Sequence, residues 1–177
     1  MISMRIALTA AALALTVPLQ AQNEAAPPPL LNEPTAGWSV FGPGQTHKAR
    51  KDGAVQGGTA MRVTIAAKPV NAWDIGASMP IDKPIARGDK LILALWVRVA
   101  DGGDGGAVDI GAAIQQNYAP YAAIVGGRVP VTKDWALVHI NGIAAADHAA
   151  GKANVALTLG DGARTIDLGP AFVMKAD

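Results

Sequence analysis

The sequence predicts an all-β domain, an antiparallel β-sandwich of jelly-roll type. Three observations carry that prediction. Apolar residues alternate with period two in short runs, clusters of Gly, Pro, Asp and Asn separate the runs, and no long helical pattern lies between them. A strand turns successive side chains to opposite faces, so period two buries one face of each run. Strands that follow one another without alternating helices pair antiparallel and close as two packed sheets.

The elements can be justified in chain order. Residues 1–21 carry Arg5, an apolar run from Ile6 to Val17 and the small residue Ala21, the layout of a secretory signal peptide. The run is short for a membrane span, although a retained anchor is the alternative reading. Cleavage leaves a secreted or periplasmic protein with no membrane span. Residues 22–36, "QNEAAPPPLLNEPTA", form a proline-rich linker that contains Glu24 and Glu33, the only glutamates of the chain. The sandwich occupies 37–177, and its first strand lies in "GWSVFGPG". "MRVTIA" sets Met61, Val63 and Ile65 against Arg62 and Thr64. "LILALWVRVA" sets Leu91, Leu93, Leu95, Val97 and Val99 against Ile92, Ala94, Trp96 and Arg98. "VDIGAAIQQ" sets Val108, Ile110, Ala112 and Ile114 against Asp109, Gly111, Ala113 and Gln115. "WALVHI", "NVALTL" and "RTIDLGPAFVM" repeat the pattern, and "AAADHAAGK" is read as one or two helical turns.

Composition excludes several chemistries. The 177 residues contain no cysteine, so disulfides, thiol nucleophiles, thiolate metal sites and a lipid-modified cysteine are all excluded. A domain of about 140 residues is large enough to be stable through its core alone. The formal charge is +1, and the longest basic stretch is "HKARK" at 47–51, too short to track a phosphate backbone. Nucleic acid is therefore not an expected partner. Past residue 21 the serines are Ser39 and Ser78, and "GASMP" lacks the second glycine of a nucleophile elbow. His47, His139 and His148 have no metal-ligand spacing, and His139 reads as a core or edge residue. Glycoside hydrolysis uses two carboxylates, which here would have to be aspartates such as Asp74, Asp109 and Asp167. Asp101, Asp104, Asp134 and Asp161 lie in turn sequences that they cap. "DGGDGGAVD" lacks the closing glutamate of a calcium loop. The expectation is a non-enzyme without a cofactor.

The aromatics and amides point elsewhere. "IQQNYAPY", 114–121, gathers two glutamines, an asparagine and both tyrosines of the protein. A sugar ring presents apolar C–H faces, which stack on aromatics, and edge hydroxyls, which amides satisfy as both donor and acceptor. Gln115, Trp96 and Arg98 share the non-core parity of their strands and would line one concave face if those strands are neighbours. Gly111, Ala113 and Ala94 would floor it, and Tyr118 and Tyr121 would stand in the adjoining loop. Gln116 lies at the strand end, on the core parity. Trp73 and Asp74, in "NAWDIGA", open another strand, with Trp73 either core or exposed. Trp38 and Trp135 are expected in the core. The alternative to sugar binding is a structural or protein-interaction sandwich of the cell envelope.

"VQGGTAMRVTI", "NAWDIGA", "IARGDKLILALWVRVA", "IQQNYAPY", "VTKDWALV" and "LGDGARTIDLGPAFV" follow one another in order. Together, across about residues 38–175, they resemble the jelly-roll (galactose-binding-like) carbohydrate-binding modules attached to xylanases and related polysaccharide-degrading enzymes. The resemblance implies non-catalytic binding of an oligo- or polysaccharide. It implies Trp96, Arg98, Gln115 and Gln116 on a concave face, with Tyr118 and Tyr121 at its rim. It also implies a separate glycan-degrading enzyme as partner, since such modules are commonly fused to a catalytic domain. These modules often hold a structural calcium through acidic residues near the first strand and an aspartate pair in the last. "GWSVFGPG" and "LGPAFVM" lack both.

Overall fold

A computed structural model describes residues 28–102 and 107–176. The expected signal peptide (1–21) and Asp104 lie outside these residues. The fold is an antiparallel sandwich of two five-stranded sheets. One sheet has the order β1 (Ser39–Phe41), β4 (Gly76–Ile81), β9 (Ala153–Thr158), β6 (Val108–Gln116), β7 (Ala123–Val131). The other has β2 (Gln45–Lys51), β3 (Thr59–Ile65), β10 (Arg164–Ala176), β5 (Lys90–Asp101), β8 (Ala136–Ile143). The sheets are called here the β6 sheet and the β5 sheet.

The core forms where the inward parities meet. Val63, Ile65, Leu91, Leu93, Leu95, Val97, Ile166 and Leu168 from the β5 sheet face Ala77, Met79, Ile110, Ile114, Val155 and Leu157 from the β6 sheet, all buried. Removing that apolar area from water at about 25 cal/mol per Å² is what holds the two layers together. Trp38 joins this core as expected and donates its indole N–H to the Gly169 carbonyl at 2.8 Å. That carbonyl lies where the β10–β5 register shifts between Leu168 and Ala171, so the indole satisfies a group the ladder leaves unpaired. Residues of the proline-rich stretch pack too. Leu31 is buried, and the Asn32 amide donates to Ala171 O and accepts from Val173 N, fastening the chain to β10.

Three expectations need correction. "AAADHAAGK" forms no helix; it is a bend and turn in which His148 pairs with Ile85 as an isolated bridge. Its single glycine-flanked turn has no apolar stripe to pack, and helix nucleation is costly. "NAWD" is a short 3-10 turn (Ala72–Asp74) ahead of β4, not the start of that strand. Trp135 is half-buried on the outside of the β5 sheet, where the Arg98 guanidinium covers its ring at 4.9 Å from the centroid. Cation–π contact with a covering arginine has replaced burial in the core.

Candidate functional site

The outer face of the β6 sheet carries a groove of about 660 Å³. Strand register determines its floor. Ser39, Ser78, Ala156, Ala113 and Gly126 lie side by side across β1, β4, β9, β6 and β7. Every member of that row is small, so the surface dips along a line perpendicular to the strands. The row on one side reads Phe41, Gly76, Thr158, Gly111, Arg128; the row on the other reads Pro80, Asn154, Gln115, Ala123. The groove is lined by Phe41, Trp73, Ser78, Gln115, Pro120, Tyr121, Asn154, Ala156 and Thr158, all uncharged.

The walls are aromatic and each has a specific support. Trp73 is 69% exposed on its 3-10 turn. Asp74 holds that turn by accepting from the Asn71 backbone N–H at 3.0 Å and from its side-chain amide at 3.4 Å. Phe41 lies on Gly76, where a Cβ would come within 2.6 Å of its ring, so the glycine is the seat of the aromatic. Gly42, at φ 107°, lets the β1–β2 turn pass against the Asp74 backbone, where any side chain would collide with the carbonyl. Tyr121 rises at the other end, after Pro120, with φ 56°. A bulky residue in the left-handed region is strained, and such strain is retained where a side chain must be aimed. Its N–H donates to Tyr118 O at 2.7 Å, and Asn117 ties the loop to Gly151 O at 2.7 Å.

Unused polar groups lie between the walls. Gln115 and Asn154 sit opposite each other in register. The Asn154 Oδ1 is buried without a partner among the described residues. A buried acceptor of that kind costs stability until something donates to it.

The expected site residues divide among several places. Trp73, Gln115 and Tyr121 come together in the groove. Asp74 is spent on capping the turn that carries Trp73. Gln116 is half-buried at the end of β6, beside the groove lining. Tyr118 points to a separate hollow with Asp147, His148 and Lys152. Trp96 and Arg98 do not share the face of Gln115, because β5 and β6 belong to different sheets. Parity alone places a side chain outside its own sheet and cannot say which of two sheets that is. Phe41, Ser78, Asn154 and Thr158 were not foreseen. The legible signal is Gly76 itself, since a glycine inside a strand marks close approach; that Phe41 is the residue opposite it comes from the strand pairing.

On the outer face of the β5 sheet Asp167 and Asp52 bond the arginines around them, and Trp96 bonds Gln56. Asp167, fully buried, receives Arg62 through two bonds of 2.7 and 2.9 Å, Arg98 at 2.9 Å and Arg50 at 3.2 Å. Arg98 also holds Asp52 at 2.9 Å, and Trp96 Nε1 donates to Gln56 Oε1 at 3.1 Å. The loop bearing Asp52, Val55 and Gln56 thereby lies over Trp96 and Gly169. Burial pushes the Asp167 carboxyl up, and the Arg62 and Arg98 bonds more than offset it, holding it below 3.8. Among the described residues no three His, Asp or Glu side chains converge as metal ligands. No described helix is long and apolar enough to cross a membrane.

No family model and no curated protein matches the chain. Solved structures do. A CBM4 structure aligns with a TM-score of 0.58 at 21% identity, covering 78% of this chain and 86% of the other. The second N-terminal cellulose-binding domain of Cellulomonas fimi β-1,4-glucanase C aligns at 0.58 and 17%, covering 90% and 98%. Arabinose-bound MgGH51 α-L-arabinofuranosidase aligns at 0.61 and 9%, covering 82% of this chain but 25% of that larger one. The chain therefore has the β-sandwich fold of carbohydrate-binding modules such as those carried by glucanases and xylanases.

Proposed function

We propose that the protein binds a polysaccharide chain in the β6-sheet groove and does not convert it. The observation that carries this reading is the row of small residues between aromatic walls, with the Gln115–Asn154 amides beside it. Strands lie about 4.8 Å apart, so a chain laid along that row crosses one strand after another. Trp73, Phe41 and Tyr121 offer faces for stacking, and Gln115, Asn154, Ser78 and Thr158 offer partners for hydroxyls. The lining has no carboxylate to act as acid, base or nucleophile. The same reading has residues 1–21 exporting the protein to the periplasm or beyond, where a separate glycan-degrading enzyme would act on the bound polymer.

Affinity electrophoresis in gels containing soluble cellulose, xylan or mixed-linkage glucan tests the proposal. At least one neutral polysaccharide should retard the protein. Ala156→Leu, which raises the floor while leaving the inward side of β9 untouched, should abolish the retardation. Absence of retardation by any neutral polysaccharide, or retardation unaffected by Ala156→Leu, would overturn the assignment.

A further inference from the structure

The opposite outer face supports a site of different chemistry. Lys48 of β2 stands directly opposite Arg62 of β3, which stands opposite Asp167 and then Arg98. Like charges directly opposite in a sheet destabilise it; Asp167 answers Arg62 through two bonds and leaves Lys48 unanswered. Lys48 is exposed and has no carboxylate partner among the described residues. The side chains of Arg62 and Arg50 are 39% and 34% exposed. Among the described residues, Arg50, Arg62 and Arg98 bond two carboxylates, Asp52 and Asp167, while Asp101 lies opposite Thr165 at the end of the neighbouring row. Guanidinium donors therefore outnumber the oxygens that they hold.

A second row runs beside this one. Thr46, Thr64 and Thr165 lie side by side across β2, β3 and β10, with the Thr64 and Thr165 hydroxyls 3.3 Å apart. The rows are two residues apart along the strands, about 7 Å. Partly exposed cations over a buried Asp167, next to a line of hydroxyls, match a chain that alternates oxyanions with hydroxyls at short intervals. We propose that this face binds an acidic polysaccharide, its carboxylates meeting Lys48, Arg62 and Arg50 and its hydroxyls meeting the threonines. Arg62 has its Nε and Nη2 on Asp167, so Nη1 is the nitrogen left to meet a ligand carboxylate. A nucleic acid fits less well, because single strands need free aromatics for base stacking. Here Trp96 is tied to Gln56 and Trp135 is covered by Arg98. The two faces are on opposite sheets, so one molecule could hold a neutral and an acidic chain together.

The test uses gels containing polygalacturonate, a neutral polysaccharide or DNA, at low and high salt. Polygalacturonate should retard the wild-type protein, and raising the salt should weaken that retardation. Lys48→Glu should weaken it about tenfold, which is about 1.4 kcal/mol, while Lys48→Arg and Gln115→Ala should preserve it. Lys48 has no internal partner and faces Arg62, so the thermal midpoint of Lys48→Glu should be no lower than that of the wild type, which separates lost binding from lost folding. No retardation by polygalacturonate, retardation unchanged in Lys48→Glu, or equal retardation by DNA would each overturn the proposal. The neutral gel reports on the groove separately, so failure of one site is distinguishable from failure of the other.

Discussion

On the outer face of the β6 sheet the amides of Gln115 and Asn154 are left without side-chain partners among the described residues; on that of the β5 sheet Trp96 and Arg98 are bonded to residues brought from elsewhere in the chain. Gln115 and Asn154 face a groove with no internal partner for the Asn154 carbonyl oxygen. Trp96 and Arg98, equally polar-tipped and on the same strand parity, are bonded to Gln56, Asp52 and Asp167. A tryptophan and an arginine on an outward face are thus as suited to bracing a sheet as to holding a ligand. What separates the uses is whether a carboxylate and a covering loop arrive from elsewhere in the chain.

The comparison is broken most forcefully at Asp167. Asp167→Asn removes the one buried charge on which three arginines converge. Breaking a buried ion pair by deleting one partner costs about 3–5 kcal/mol, and the cost should appear as a reduced urea midpoint. Any protein that remains folded should still bind in the groove, because the β6 sheet takes no part in the network. A variant with wild-type stability would show that the arginines are held by solvent and not by Asp167.

Much of this was readable beforehand, and the limit falls at a definite step. "LILALWVRVA" and "VDIGAAIQQ" announce their strands because period two is local. β6 runs from Val108 to Gln116, coinciding with the predicted stretch, and β5 exceeds its stretch by one residue at each end. The inward faces follow from the same parity. Whether β5 and β6 are neighbours depends on pairings between distant residues, which periodicity does not contain. For that reason parity alone does not separate Gln115, which lies in the groove with Tyr121, from Trp96 and Arg98, which lie on the other sheet. Asn154 gave no signal of its own; its importance comes from standing opposite Gln115.

The next effect in size contrasts aromatics. Trp73→Ala and Tyr121→Ala should each weaken neutral polysaccharide binding about tenfold, roughly 1.4 kcal/mol, the scale of one lost aromatic stack. Trp96→Ala should leave that binding unchanged and reduce thermal stability instead, since it strips the packing beneath Val55 and Gln56. Isothermal titration alongside thermal unfolding would read both. A loss of groove binding in Trp96→Ala would mean that the two faces are coupled through the core.

The smallest effect is a pH dependence confined to one face. The native carboxyl of Asp167 lies below the 3.8 of a free aspartate, burial being outweighed by Arg62 and Arg98. Near and below pH 3.8 the unfolded chain takes up its proton first, so the stabilisation is complete above that value and disappears as pH falls through the native one. Asp89, held down by its bonds from Lys175 and the Ala86 N–H, acts in the same direction. The difference in thermal midpoint between wild type and Asp167→Asn should therefore be constant at neutral pH and narrow on acidification below about pH 4. The groove lining is uncharged, so at any pH where the protein stays folded, affinity for a neutral chain should not follow that narrowing. Affinity and stability declining together while the protein is still folded would mean that the network braces the groove as well as its own sheet.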